Sequence, residues 1–135
     1  MQFDNKIGSI QQILTATNVG ILRRQSILKE LNLKKGQTII DIGCGGGHLV
    51  EEISMCVGPM GKAIGVDPSE FQIKTAKERC KNLSNVQFIC KNANDINIEI
   101  NSCDAVTFTQ TLEYIDDVDE ALYSAKRLQK PMSIV

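Results

Sequence analysis

The sequence predicts an α/β fold, an open parallel sheet with helices on both faces. Three observations carry this. Short apolar runs of strand length alternate with segments whose apolar residues recur at helical spacing. The first run is nearly continuously apolar, as a strand covered on both faces requires. A glycine-rich loop joins that run directly to a helical segment.

The elements follow in order. Ile10, Ile13, Leu14 and Thr17 keep helical spacing, as do Ile27, Leu28 and Leu31, giving an N-terminal helical segment over 1–33. Lys34-Lys35-Gly36 is expected to stop the helix and turn the chain. Thr38 to Ile42 is the first strand, and Gly43 to Gly47 the loop. The helix behind it turns Leu49, Ile53, Cys56 and Val57 inward and ends at Gly58-Pro59. Ala63 to Asp67 is the second strand. Pro68 then turns the chain, and Ser69 caps the next helix with Gln72 at capping-box spacing. Ile73, Ala76, Cys80 and Leu83 give that helix one apolar face. Val86 to Cys90 is the third strand and Asp104 to Thr109 the fourth. Asp117 and Glu120 form another cap pair, ahead of a helix marked by Val118, Ala121, Leu122, Ala125 and Leu128. Met132 to Val135 begin a fifth strand, so about five strands are expected in a single domain over 1–135, with the core at 34–135. Val135 falls inside an apparent strand, and the sequence reads as cut short there.

Composition excludes several classes. The 135 residues carry 15 Lys and Arg against 16 Asp and Glu, a net charge of −1. No basic field favours nucleic acid as a partner. Arg23-Arg24, Lys34-Lys35 and the cluster Lys74, Lys77, Arg79, Lys81 read as solvated surface. No stretch approaches the ~20 apolar residues of a membrane span, and the N-terminus is too polar for a signal peptide. A cytoplasmic protein is expected. Five cysteines, with no C-x-x-C pair, imply neither a disulfide framework nor a metal site.

The segment Asp41-Ile42-Gly43-Cys44-Gly45-Gly46-Gly47 reads D-x-G-x-G-x-G. Glycines let backbone turn sharply and approach a ligand closely. A dinucleotide loop, G-x-G-x-x-G, would need its third glycine at His48, and it would place pyrophosphate beside Asp41. An acid is better placed near a cation. S-adenosylmethionine (SAM) carries an ammonium and a sulfonium, and Asp41 favours it. Asp67, at the end of the second strand, can accept hydrogen bonds from two ribose hydroxyls, a feature that SAM and NAD share.

These motifs resemble those of class I SAM-dependent methyltransferases. IIDIGCGGGHL, Ile39 to Leu49, is similar to motif I of that family, and IGVDPS, Ile64 to Ser69, to its ribose-binding segment. CKNANDI, Cys90 to Ile96, resembles the segment after its third strand. DAVTFTQTLEYID, Asp104 to Asp116, resembles its fourth-strand motif, and LQKPM, Leu128 to Met132, stands where many members have L-K-P-G-G. The resemblance is to the ubiquinone/menaquinone-biosynthesis-like group. It implies a Rossmann-like fold whose last two strands, an antiparallel hairpin on the substrate side, are missing here. It also implies that Gly43, Gly45 and the Cys44 backbone face the methionine part of SAM, with Gly47 among the cofactor-binding residues. Asp67 would hold the ribose, Pro68 would pack near the adenine, Asn92 and Ala93 would bracket its edge, and Gln110 would sit near the sulfonium. Asn92 replaces the family's usual acid, Tyr114 the histidine of LEH, and Met132 a turn glycine. Phe3 is either a lid residue or packing.

Methyl transfer from a sulfonium is an in-line displacement with an activated leaving group, giving S-adenosylhomocysteine (SAH). Much of the catalysis can come from proximity and orientation. A base is needed only when the acceptor carries a proton. Glu113 could take that proton and Tyr114 could orient an acceptor. Otherwise, Glu113 is a solvated acid and Tyr114 packs on the helix. His48 is either a base or packing beside the cofactor. Cys44 is either a thiol activated by the helix terminus or a small residue tolerated there. The expected function is therefore SAM-dependent methyl transfer to a small-molecule acceptor. A non-catalytic SAM-binding module and an NAD-binding oxidoreductase domain are the alternatives.

Overall fold

The computed structural model describes residues 18–96, 103–108 and 129–134. Helix α1, Asn18–Leu31, leads into strand β1, Thr38–Ile42. Helix α2, His48–Val57, and strand β2, Lys62–Asp67, follow, then helix α3, Glu70–Arg79, and strand β3, Val86–Cys90. A 3₁₀ turn at Ala93–Asp95 precedes strand β4, Cys103–Phe108, and strand β5, Gln129–Ile134.

The strand order is β3-β2-β1-β4-β5, and every pairing is parallel. β1 to β4 pair in regular register. β5 joins β4 with a shift, because Cys103 pairs with Gln129 and Ala105 with Ser133. Pro131 lies in that stretch of β5. It has no N–H to give the ladder, which accounts for the irregularity. The expected five strands are thus a regular four with an irregular fifth, which starts at Gln129 rather than Met132.

Each boundary has a local cause. α1 stops earlier than Lys34, because Asn32 adopts φ 49° in the left-handed region, which asparagine tolerates. Gly36, at φ 88°, then turns the chain, and its N–H donates to the Val57 carbonyl at 2.9 Å. Ser69 caps α3 as expected, its hydroxyl oxygen accepting the Gln72 N–H at 3.2 Å. Leu83 lies past the end of α3 rather than on its face. At the C-terminus of α2, the Asn85 amide donates to the Ser54 and Gly58 carbonyls at 2.9 and 2.8 Å, satisfying helix-end acceptors.

Two apolar layers flank the sheet. Ile39, Leu49, Val50, Ile53, Val57, Ala63 and Ile73 build one, with Ile27, Leu28 and Leu31 of α1 packed against it. Ile40, Ile42, Ile64, Val66 and Val106 build the other. The helix expected at 118–128 lies outside the described residues. Cys56, expected to face inward, is exposed. Val50 and Ser54 are both buried, which shifts the inward stripe of α2 around the helix and leaves Cys56 past its edge. The other result of this topology is a reversal of strand order at β1, whose neighbours are β2 and β4. Open α/β sheets bind ligands beyond the carboxyl ends of their strands at such a point.

Candidate cofactor-binding site

The glycine loop sits at that point, between β1 and α2. Gly43, Gly45 and Gly47 have φ values of 81°, 54° and 86°. Every second residue therefore lies in the left-handed region, where a side chain is strained. The Gly43 and Cys44 amides both donate to the Val66 carbonyl, at 2.7 and 3.0 Å, which hangs the loop on the end of β2. The Gly47 N–H donates to the Cys44 carbonyl at 3.1 Å and closes the turn into α2. A Cβ on Gly47 would meet the Ala76 Cβ of α3 at 2.9 Å.

Asp67 binds the loop from the side. Its Oδ2 accepts the Gly45 N–H at 3.1 Å, and its Oδ1 accepts the Ser69 N–H at 2.9 Å. Its backbone carbonyl takes the Lys91 N–H at 3.1 Å, which brings the end of β3 alongside. Each carboxylate oxygen has two lone pairs, so both can accept a further hydroxyl. Burial pushes the Asp67 carboxyl up from its ordinary value, opposed by the two amide hydrogen bonds.

Asp41 lies deeper. It is 1% exposed, stands beside Thr107 in the β1–β4 register, and its Oδ1 accepts the Thr107 hydroxyl at 2.7 Å. It is an interior carboxyl group, tied to the neighbouring strand. The Cys44 thiol is buried over Gly65, where a Cβ would meet its Sγ and the Phe88 ring at 2.8 Å. Gly65 was not among the expected site residues, although a glycine inside a strand signals close approach. Burial, then Asp41 and Asp67, push the Cys44 thiol well above its ordinary value. The activated-thiol reading of Cys44 is therefore overturned, since burial and two acids outweigh the helix terminus.

His48 opens α2, half-buried, and its buried Nε2 has no hydrogen-bond partner among the described residues. Burial, then the Arg79 and Arg24 charges, push its pKa down to about 4, so the imidazole is neutral and a weak base at pH 7. A base whose folded pKa lies below its ordinary 6.5 stabilises the fold fully above that value and loses the contribution as pH falls towards about 4. His48→Phe is expected to flatten the pH dependence of unfolding free energy in that window, measured by urea denaturation. An unchanged slope would refute the assigned environment.

At the other edge, Cys90 donates through its thiol to the Pro68 carbonyl at 3.5 Å. Pro68 is half-buried, Asn92 is exposed at the start of the 3₁₀ turn, and Ala93 is buried. Asp67, Pro68, Asn92 and Ala93 thus belong to adjoining ends of β2 and β3. Gln110, Glu113, Tyr114 and Phe3 lie outside the described residues. Open grooves run along α3, one of them lined by Glu70, Ile73, Lys74, Lys77, Glu78 and Cys90, none of which belongs to the loop. The hydrogen-bonded frame, not the concavity of that surface, marks the site.

A family model described as a methyltransferase domain matches residues 33–135. A demethylmenaquinone methyltransferase of Staphylococcus carnosus is 36% identical over 108 residues, 80% of this chain and 45% of the relative. The chain thus spans about half the length of the curated relatives it matches. The crystal structure of a SAM-dependent methyltransferase from Aquifex aeolicus superposes with a TM-score of 0.74 at 29% identity, covering 82% of this chain and 62% of that one. A Haemonchus contortus phosphoethanolamine N-methyltransferase, solved with phosphoethanolamine and SAH, shares the fold at a TM-score of 0.72 and 24% identity, over 79% of this chain and 23% of that one. No described helix is long and apolar enough to cross a membrane. With its loop, its acid at the end of β2 and its strand order in place, the chain belongs to the class I SAM-dependent methyltransferase family.

Proposed function

We propose that this chain is the cofactor-binding part of an enzyme that transfers the methyl group of SAM to a small-molecule acceptor. The observation that carries the reading is the doubly held Asp67 carboxylate. It is locked against Gly45 and Ser69 with acceptor capacity left for two ribose hydroxyls. SAM supplies an activated methyl group. The residues of this chain bind and orient. Gly43, Cys44 and Gly45 offer backbone to the methionine part, with the buried Asp41 carboxyl behind them. Gly47 sets the start of α2. Pro68, Asn92 and Ala93 border the adenine, and the family resemblance assigns Gln110 to the sulfonium side. Asn92 can accept the adenine amino group through its carbonyl oxygen.

The curated relatives' name points to a demethylmenaquinone-like acceptor, with Glu113 and Tyr114 as the proposed acceptor-side residues. Five free cysteines, two of them exposed, suit a reducing cytoplasm. Titration calorimetry with SAM, SAH and NAD tests the cofactor. SAM and SAH should bind and NAD should not. NAD binding without SAM binding would overturn the proposal.

A further inference from the structure

The back of the glycine loop is held by α3, and one contact there is polar. Arg79, which the sequence places with the solvated lysines, is half-buried and donates through Nε to the Gly46 carbonyl at 2.9 Å. One residue on, the Cys80 thiol lies 4.0 Å from the Gly47 carbonyl. One turn before, Ala76 closes on Gly47 so tightly that a Cβ there would sit 2.9 Å from its own. Ala76, Arg79 and Cys80 are spaced to share one face of the helix end. They meet the loop at Gly46 and Gly47, whereas Asp67 holds Gly45.

We infer that Arg79 is a positioning residue that sets cofactor affinity by fixing the Gly46 carbonyl from behind the loop. The loop's outward-facing backbone is useful to a ligand only if its peptide planes are already oriented. Gly45 and Gly46 have no side chains to hold them, so beyond the turn bond from the Gly47 N–H to the Cys44 carbonyl their orientation draws on hydrogen bonds made from outside. Asp67 supplies one to the Gly45 amide, and Arg79 supplies the other to the Gly46 carbonyl. A guanidinium donor gives a charge-assisted bond. Its Nε–H has a fixed direction that a lysine ammonium does not reproduce. The same guanidinium faces His48 on α2 and helps keep that imidazole neutral. Arg24, the other cation near His48, is paired with Glu52 of α2.

The inference rests on the SAM reading of the site, and its test separates the two. Arg79→Met removes both donor and charge, whereas Arg79→Lys keeps the charge alone. Both are expected to bind SAM about tenfold more weakly by calorimetry, with the Gly47 amide exchanging faster in the ligand-free protein. The His48 titration, followed by NMR, should move up from about 4 in Arg79→Met and stay low in Arg79→Lys. The His48 split reads the Arg79 charge, whereas the loss of affinity with faster Gly47 exchange in both variants reads the directional bond to the Gly46 carbonyl. Wild-type affinity in Arg79→Met, or full rescue by lysine, would overturn the inference. Failure of the wild-type chain to bind SAM would instead overturn the cofactor reading, and unchanged Gly47 exchange in both variants would then overturn the loop contact on its own.

Discussion

Asp67→Ala is expected to weaken SAM binding by about 100-fold or more in calorimetry. Two hydrogen bonds from ribose hydroxyls to a carboxylate are lost, each contributing about 1.5–3 kcal/mol, and about 2.7 kcal/mol is already 100-fold. The substitution also strips the Gly45 and Ser69 amides of their acceptor, so the loop loses its orientation before any ligand arrives. Asp67→Asn separates the two effects, since an amide oxygen can still take one of these donors. The pH dependence follows from burial. Asp67 is raised above its ordinary 3.8, so the folded state holds the proton more tightly than the unfolded chain. Its contribution to stability therefore falls as pH rises from the ordinary value through the folded one. SAM binding has the opposite sign. Ribose hydroxyls favour the ionised carboxylate, so affinity should drop as pH is lowered through a titration that begins above the usual aspartate range. Affinity unchanged in Asp67→Ala would remove this residue from the site.

The second large effect is at Gly47. Gly47 and Gly36 have nearly the same φ, 86° and 88°, but different surroundings. A Cβ at Gly36 meets nothing within 4 Å, whereas at Gly47 it meets Ala76 Cβ at 2.9 Å and Ala76 Cα at 3.1 Å. Gly36→Ala should therefore cost only the left-handed strain, about 1–2 kcal/mol. Gly47→Ala adds overpacking against helix backbone, about 1–3 kcal/mol more, and displaces the loop. Urea unfolding of both variants measures the difference directly. Equal destabilisation would show that α3 does not back the loop.

The parallel sheet and the loop could be read from sequence because each depends on local pattern. The apolar runs of β1 and β2, the Ser69 cap and the alternate glycines all state their geometry within a few residues. What escaped depends on residues far apart in the chain. Thr107 meets Asp41 across 66 positions, and Arg79 meets Gly46 across 33. No short-range pattern encodes either contact, and Arg79 has the same sequence signature as its solvated lysine neighbours. Gly65 carried a readable signal, but its reason, room for Cys44 and Phe88, needs the packed sheet. The two readings of Cys44 divide for a related cause, and its burial fits a small residue tolerated in the loop. Helix-terminus chemistry is local, whereas burial between Asp41 and Asp67 is not, and burial dominates.

The direct test of the cofactor site is a crystal structure of the chain with SAH. Both ribose hydroxyls are expected within about 2.5–3.0 Å of the Asp67 carboxylate oxygens, with the homocysteine moiety over the Gly43–Gly45 backbone. A nucleoside bound elsewhere, or a ribose turned away from Asp67, would contradict it.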